Sequence, residues 1–145
     1  MSQESAKVTG TELLERIERA IRQDGRYSPE AFDFLHRGLE LATRLKHGPN
    51  ARRTPRHVSG QELCHTLRAL ALQMWGPLAR EVLRRWNIHR TRDFGEMVYL
   101  LIDLDLMGRQ DSDDIADFDD VYDFRTAFGS YKIPLGAAGQ EDRSG

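Results

Sequence analysis

One cysteine, Cys64, stands in a chain of 145 residues. It cannot close an internal disulfide or build a cysteine-based zinc site by itself. Long hydrophobic runs are also missing. The longest of note, Met97 to Ile102, is far shorter than the roughly 18 residues a transmembrane helix needs. Met1 to Gly10 carries no hydrophobic signal core, so the expectation is a soluble cytoplasmic protein with no membrane contact. No Gly-rich phosphate loop is present, Gly95 and Gly108 being isolated. What is abundant is charge. Lys and Arg number 21 and Asp and Glu 23, for a net charge of −2, and apolar residues make up 39%. That composition suits one globular domain held by packing.

The apolar residues are spaced for helices. Leu13, Leu14, Ile17, Ala20 and Ile21 recur at helical spacing from Thr11 to Asp24, and Gly25 supplies the stop. Ser28 and Pro29 read as an N-cap followed by proline at the first helical position. The helix they start carries Phe32, Phe34, Leu35, Leu39 and Leu45 toward Gly48. The stretch from Lys46 to His57, rich in proline and arginine, reads as an exposed loop. Ser59-Gly60-Gln61-Glu62 matches a capping box, predicting a helix that Gly76-Pro77 ends. A fourth helix uses Leu78, Val82, Leu83 and Trp86, and Thr91 is read as the cap of a fifth.

From Ile102 the period changes. Ile102, Leu104 and Leu106 alternate with Asp103 and Asp105, as in a strand, and Val121 to Phe124 is β-prone enough to return. The alternative is a last helix capped by Ser112 or Asp117 that uses Phe118, Val121, Phe124 and Phe128. The expected fold is therefore mainly α, a compact helical domain with a C-terminal β-hairpin. It comprises one domain over 1–128, made of a helix pair over 11–47 and a winged-helix-like unit over 59–124, with a flexible tail over 129–145. That likeness is one of fold and implies no function.

Separated blocks carry a further resemblance: RYSPEAFDFL at Arg26 to Leu35, HVSGQEL at His57 to Leu63, GPLAREVL at Gly76 to Leu83, DFGEMVYLLI at Asp93 to Ile102 and DFDDVYDF at Asp117 to Phe124. Together they resemble a small bacterial family largely restricted to Planctomycetes and Verrucomicrobia. The resemblance implies no activity and transfers no functional residue.

Charge is segregated along the chain. Arg37 to Arg92 holds twelve basic residues against three acidic ones, and Asp93 to Phe124 holds eleven acidic residues against Arg109 alone. Opposite fields of this kind orient partners. The expected function is a non-enzymatic binding or regulatory module that docks a protein partner. Its nominated basic residues are Arg52, Arg53, Arg56, His57, Arg84 and Arg85, and its acidic ones are Asp111, Asp113, Asp114 and Asp117. Mutual neutralisation of the two runs by surface pairs is the bland alternative. The functional alternative is nucleic-acid binding through the 52–57 loop, although interleaved aromatics for base stacking are missing there. Major-groove docking of Thr91 to Ile102 is disfavoured, because Asp93 and Glu96 would face phosphates.

Catalytic constellations are not expected. Cys64 and His65 are adjacent on a helix and point apart. The five histidines lack close ligand spacing, and the aspartates around position 113 lack the glycine and glutamate of a calcium loop. No cofactor, metal or catalytic residue is therefore assigned, Trp75 and Trp86 are placed in the core, and the oligomeric state is left open.

Overall fold

The structure is a computed structural model that describes residues 9–48, 57–108 and 113–129. Helix α1, Gly10–Asp24, begins one residue before Thr11 because Thr9 caps it. The Thr9 hydroxyl accepts from the Glu12 amide, and the Glu12 carboxylate accepts from the Thr9 amide. Gly25 ends it in the left-handed region, at φ 77°. Only Ile21 of α1 is buried, and Leu13 and Leu14 are exposed, so the helix lies at the edge of the fold.

Helix α2, Pro29–His47, has proline at its start as expected, but Ser28 makes no side-chain capping bond. Helix α3, Gly60–Trp75, has the complete capping box at Ser59 and Glu62. The two helices pack closely at Gly38, where an added Cβ would collide with the Leu67 side chain. A 3-10 turn, Gly76–Leu78, leads into α4, Ala79–Arg85. Helix α5, Thr91–Asp103, and α6, Phe124–Gly129, complete the set among the described residues, with a 3-10 helix at Ile115–Phe118 between them. The buried apolar residues of these elements form one cluster, centred on Leu35, Leu67, Leu83, Phe94 and Met97. Trp75 and Trp86 sit half-buried at its margin, their rings 5.1 and 5.9 Å from that of Phe34.

The expected hairpin is corrected, and the winged-helix arrangement over 59–124 goes with it, since no strand occurs among the described residues. Ile102 and Asp103 still belong to α5. The alternation that follows is a helix ending: the Leu106 amide bonds back to the Leu101 carbonyl and the Asp105 amide to that of Ile102, both at 2.9 Å. Asp105 takes φ 65°, so this is a Schellman motif with aspartate in the left-handed position. Asn87 ends α4 in the same way, at φ 70°. The second expected strand is a bend that enters α6, whose first turn is held by Asp123 accepting from the Thr126 amide. Asp117 does not cap that helix. Ser112 lies outside the described residues, and Asp117 is within the 3-10 helix.

Thr91 is likewise not a cap. It is the first residue of α5, and Asp93 closes that terminus by accepting from the His89 and Arg90 amides. The Thr91 hydroxyl instead donates to the Phe118 carbonyl at 2.6 Å and accepts from the Val121 amide at 3.1 Å. These bonds fasten the 3-10 helix across α5, where Phe118 fits between two glycines. A Cβ at Gly95 would lie 2.8 Å from the Phe118 ring and one at Gly60 3.0 Å from it.

Candidate docking groove

With Phe118 held there, the 3-10 helix forms one wall of a groove of about 410 Å³. Leu39 of α2, Leu63 of α3, Val98, Tyr99 and Ile102 of α5, and Met107 supply its apolar surface. Asp113, Asp114 and Asp117 stand with His57 as its charged lining. An apolar floor with convergent polar groups at its margin is the arrangement expected of a binding site.

The margin is locally ordered. Asp114 caps the 3-10 helix by accepting from the Ala116 amide at 3.0 Å. His57 Nε2 lies 3.2 Å from Asp113 Oδ1. The His57 carbonyl is 2.9 Å from the His47 ring, which ties the end of α2 to the approach to α3. At the start of α3, the Ser59 amide and the Lys46 ammonium hold the Glu62 carboxyl below its usual range.

The structure thus brings together four of the nominated residues, His57, Asp113, Asp114 and Asp117. Arg52, Arg53, Arg56 and Asp111 lie outside the described residues. Arg84 and Arg85 lie elsewhere, on α4, where both approach Glu81 at 3.3 and 3.5 Å. Polarity along the sequence therefore does not translate simply into two opposed surfaces, because the basic and acidic runs meet at His57 and Asp113. They meet again where Arg92 contacts Asp119 at 2.9 Å and Glu96 at 3.1 Å. Sequence reasoning missed the floor of the groove. Its signal was the set Val98, Tyr99 and Ile102 on one helix, of which Val98 is buried and Tyr99 and Ile102 are half-buried.

A second concavity, of about 540 Å³, lies beside the start of α5, and in its wall Arg92, Glu96 and Asp119 already bind one another. Arg92 is shared by Asp119 and Glu96, and Arg26 reaches Glu96 at 2.9 Å. Although burial opposes it, the two guanidiniums hold the Glu96 carboxyl below its usual range. Asp93 accepts from the Tyr27 hydroxyl at 2.6 Å, and burial followed by this bond raises the phenol well above its normal value. The polar groups of α5 considered for DNA contact are therefore engaged with the protein itself.

Among the described residues no group of three His, Cys, Asp or Glu is placed to hold a metal. Cys64 is buried, which pushes its thiol up to about 12, and His65 is exposed near the Tyr122 ring instead. No helix among the described residues is long and apolar enough to cross a membrane. No protein family, curated protein or solved structure matches this chain.

Proposed function

We propose that the protein is a non-enzymatic cytoplasmic docking module that seats a basic, apolar-bearing segment of a protein partner in the groove. The observation that supports this reading is the placement of Asp113, Asp114 and Asp117 around an apolar floor made by Leu39, Val98, Tyr99 and Ile102. Desolvation of apolar side chains on such a floor supplies affinity, and rim carboxylates select the sign of the partner and speed its encounter.

The test is fluorescence anisotropy with a labelled amphipathic peptide of leucine and lysine, beside its leucine–glutamate counterpart. The lysine peptide should bind, more weakly as salt rises. Joint replacement Asp113→Asn and Asp117→Asn should weaken it by about tenfold, or about 1.4 kcal/mol. Binding of neither peptide, or equal binding of both, overturns the reading. The nucleic-acid alternative is tested in parallel with an RNA oligonucleotide. Salt-sensitive RNA binding that falls on replacing Arg52, Arg53 and Arg56 by alanine, without lysine-peptide binding, would replace the protein-docking reading with that one.

A further inference from the structure

The partner can be specified, on the footing of the docking reading above. The corner that joins α3 to α4 offers the complement of the groove. Gly76, at φ 54°, and Pro77 turn the chain there and leave Leu78 63% exposed and Met74 38% exposed. Arg80, Arg84 and Arg85 are exposed on the helix that follows, and Glu81 is its one carboxylate. Leu78 and Arg80 stand out at the corner, and Arg84 and Arg85, which both approach Glu81, lie about two turns further along. An exposed apolar side chain on a helix of net positive charge thus fits an apolar floor beside three aspartates. Within the described lining, His57 is the only group able to carry positive charge, and Asp113 holds it.

The two features sit at opposite ends of one helix. Gly60 and Leu63, at the start of α3, line the groove, and Leu78 lies just past its end. A helix of 16 residues is roughly 24 Å long, so the corner of a molecule does not reach its own groove.

We propose that a second copy of this chain is the occupant, with Leu78 of one molecule on the floor of the groove of the next and its arginines against Asp113, Asp114 and Asp117. The contact is heterologous: it joins two different surfaces and leaves one groove and one corner free at the ends of every assembly. Leu78 is the anchor. The rim pairs are solvent-exposed, each contributing about 0 to 1 kcal/mol and less at high salt, so the association is weak and reversible.

Sedimentation velocity over a concentration series tests this. At low salt the weight-average sedimentation coefficient should rise with concentration, and at high salt it should return to that of the monomer. Leu78→Asp, which removes the anchor, should abolish association, and Asp113→Asn with Asp117→Asn, which neutralises the rim, should weaken it by about tenfold. Circular dichroism melting like that of the parent shows that each variant is folded. Mixing the two variants should restore a one-to-one dimer, because one retains a groove and the other retains a corner. A chain that stays monomeric at every concentration, or variants that fail to complement one another, overturns the proposal. Monomeric behaviour with the lysine peptide still bound overturns self-docking alone and leaves the docking reading standing. Failure of both removes both.

Discussion

The Thr91 hydroxyl donates to the Phe118 carbonyl across 27 positions of sequence, at 2.6 Å, from a side chain with no solvent exposure. It also accepts from the Val121 amide, so one hydroxyl serves both polar groups of the backbone that carries the groove wall. Thr91→Val keeps the shape and leaves those two backbone groups unpaired. The expected loss is about 2 to 3 kcal/mol, read from the urea midpoint at an unchanged slope. Thr91→Ser keeps both bonds and should lose about 0.8 kcal/mol for its methyl group.

Gly95 lets the 3-10 helix approach α5. Alanine is favoured over glycine within a helix by about 1 kcal/mol, yet a Cβ here would lie 2.8 to 2.9 Å from Phe118 Cβ, Cγ and Cδ1. Because Phe118 Cβ is fixed to the backbone, a rotamer change does not relieve the contact. Gly95→Ala should therefore destabilise by about 1 to 3 kcal/mol, and binding of the lysine peptide should weaken as the wall shifts. Thermal unfolding and anisotropy measured on the same variant check the two effects.

The cap of α3 sets a pH dependence. Glu62 is held below its ordinary value of 4.5, chiefly by the Ser59 amide and then by Lys46. A carboxylate whose folded value is depressed contributes stability above its unfolded value and loses it as pH falls through the folded one. The stability advantage of the parent over Glu62→Gln should therefore be present at neutral pH and shrink below pH 4.5. The pair is exposed, so the advantage is under about 1 kcal/mol. Ser59→Ala removes the hydroxyl acceptor and should cost about 1 kcal/mol. Denaturation series at neutral and acid pH measure both.

Cys64 is buried and its thiol is raised from 9.0 to about 12 by desolvation. The folded protein should react slowly with a disulfide reagent at mildly alkaline pH and at full stoichiometry once denatured. Above 9.0 the unfolded thiol ionises first, so the stability contributed by the neutral buried thiol declines as pH rises toward about 12. Over that span Cys64→Ala should lose stability less steeply than the parent.

The helices were legible where their signals are local. The capping box at Ser59, the proline at the start of α2 and the glycine stop at Gly25 act within one turn of the chain, and each appears where the pattern placed it. Strand-like alternation at Ile102, Leu104 and Leu106 misled because the final turn of a helix and its Schellman ending also present apolar residues two apart. Asp105 supplies the left-handed residue there in place of the usual glycine, so the sequence carried no punctuation. Thr91 looked like a cap because threonine before an apolar helical run commonly is one. Its true partners, Phe118 and Val121, lie far along the chain.

By itself the sequence determined that this chain is mainly helical and where most of its helices begin, since capping and periodicity are settled among residues a few positions apart. It did not fix burial, for Leu13, Leu14, Leu45 and Leu78 of the apolar pattern are exposed. Only the tertiary structure decided which charges meet and where a floor is left open. His57 faces Asp113, Arg92 faces Asp119, and Phe118 lies against Gly60 and Gly95 because helices distant in sequence pack around a common core. Such encounters depend on how packed elements cross, and no local pattern of residues encodes that geometry.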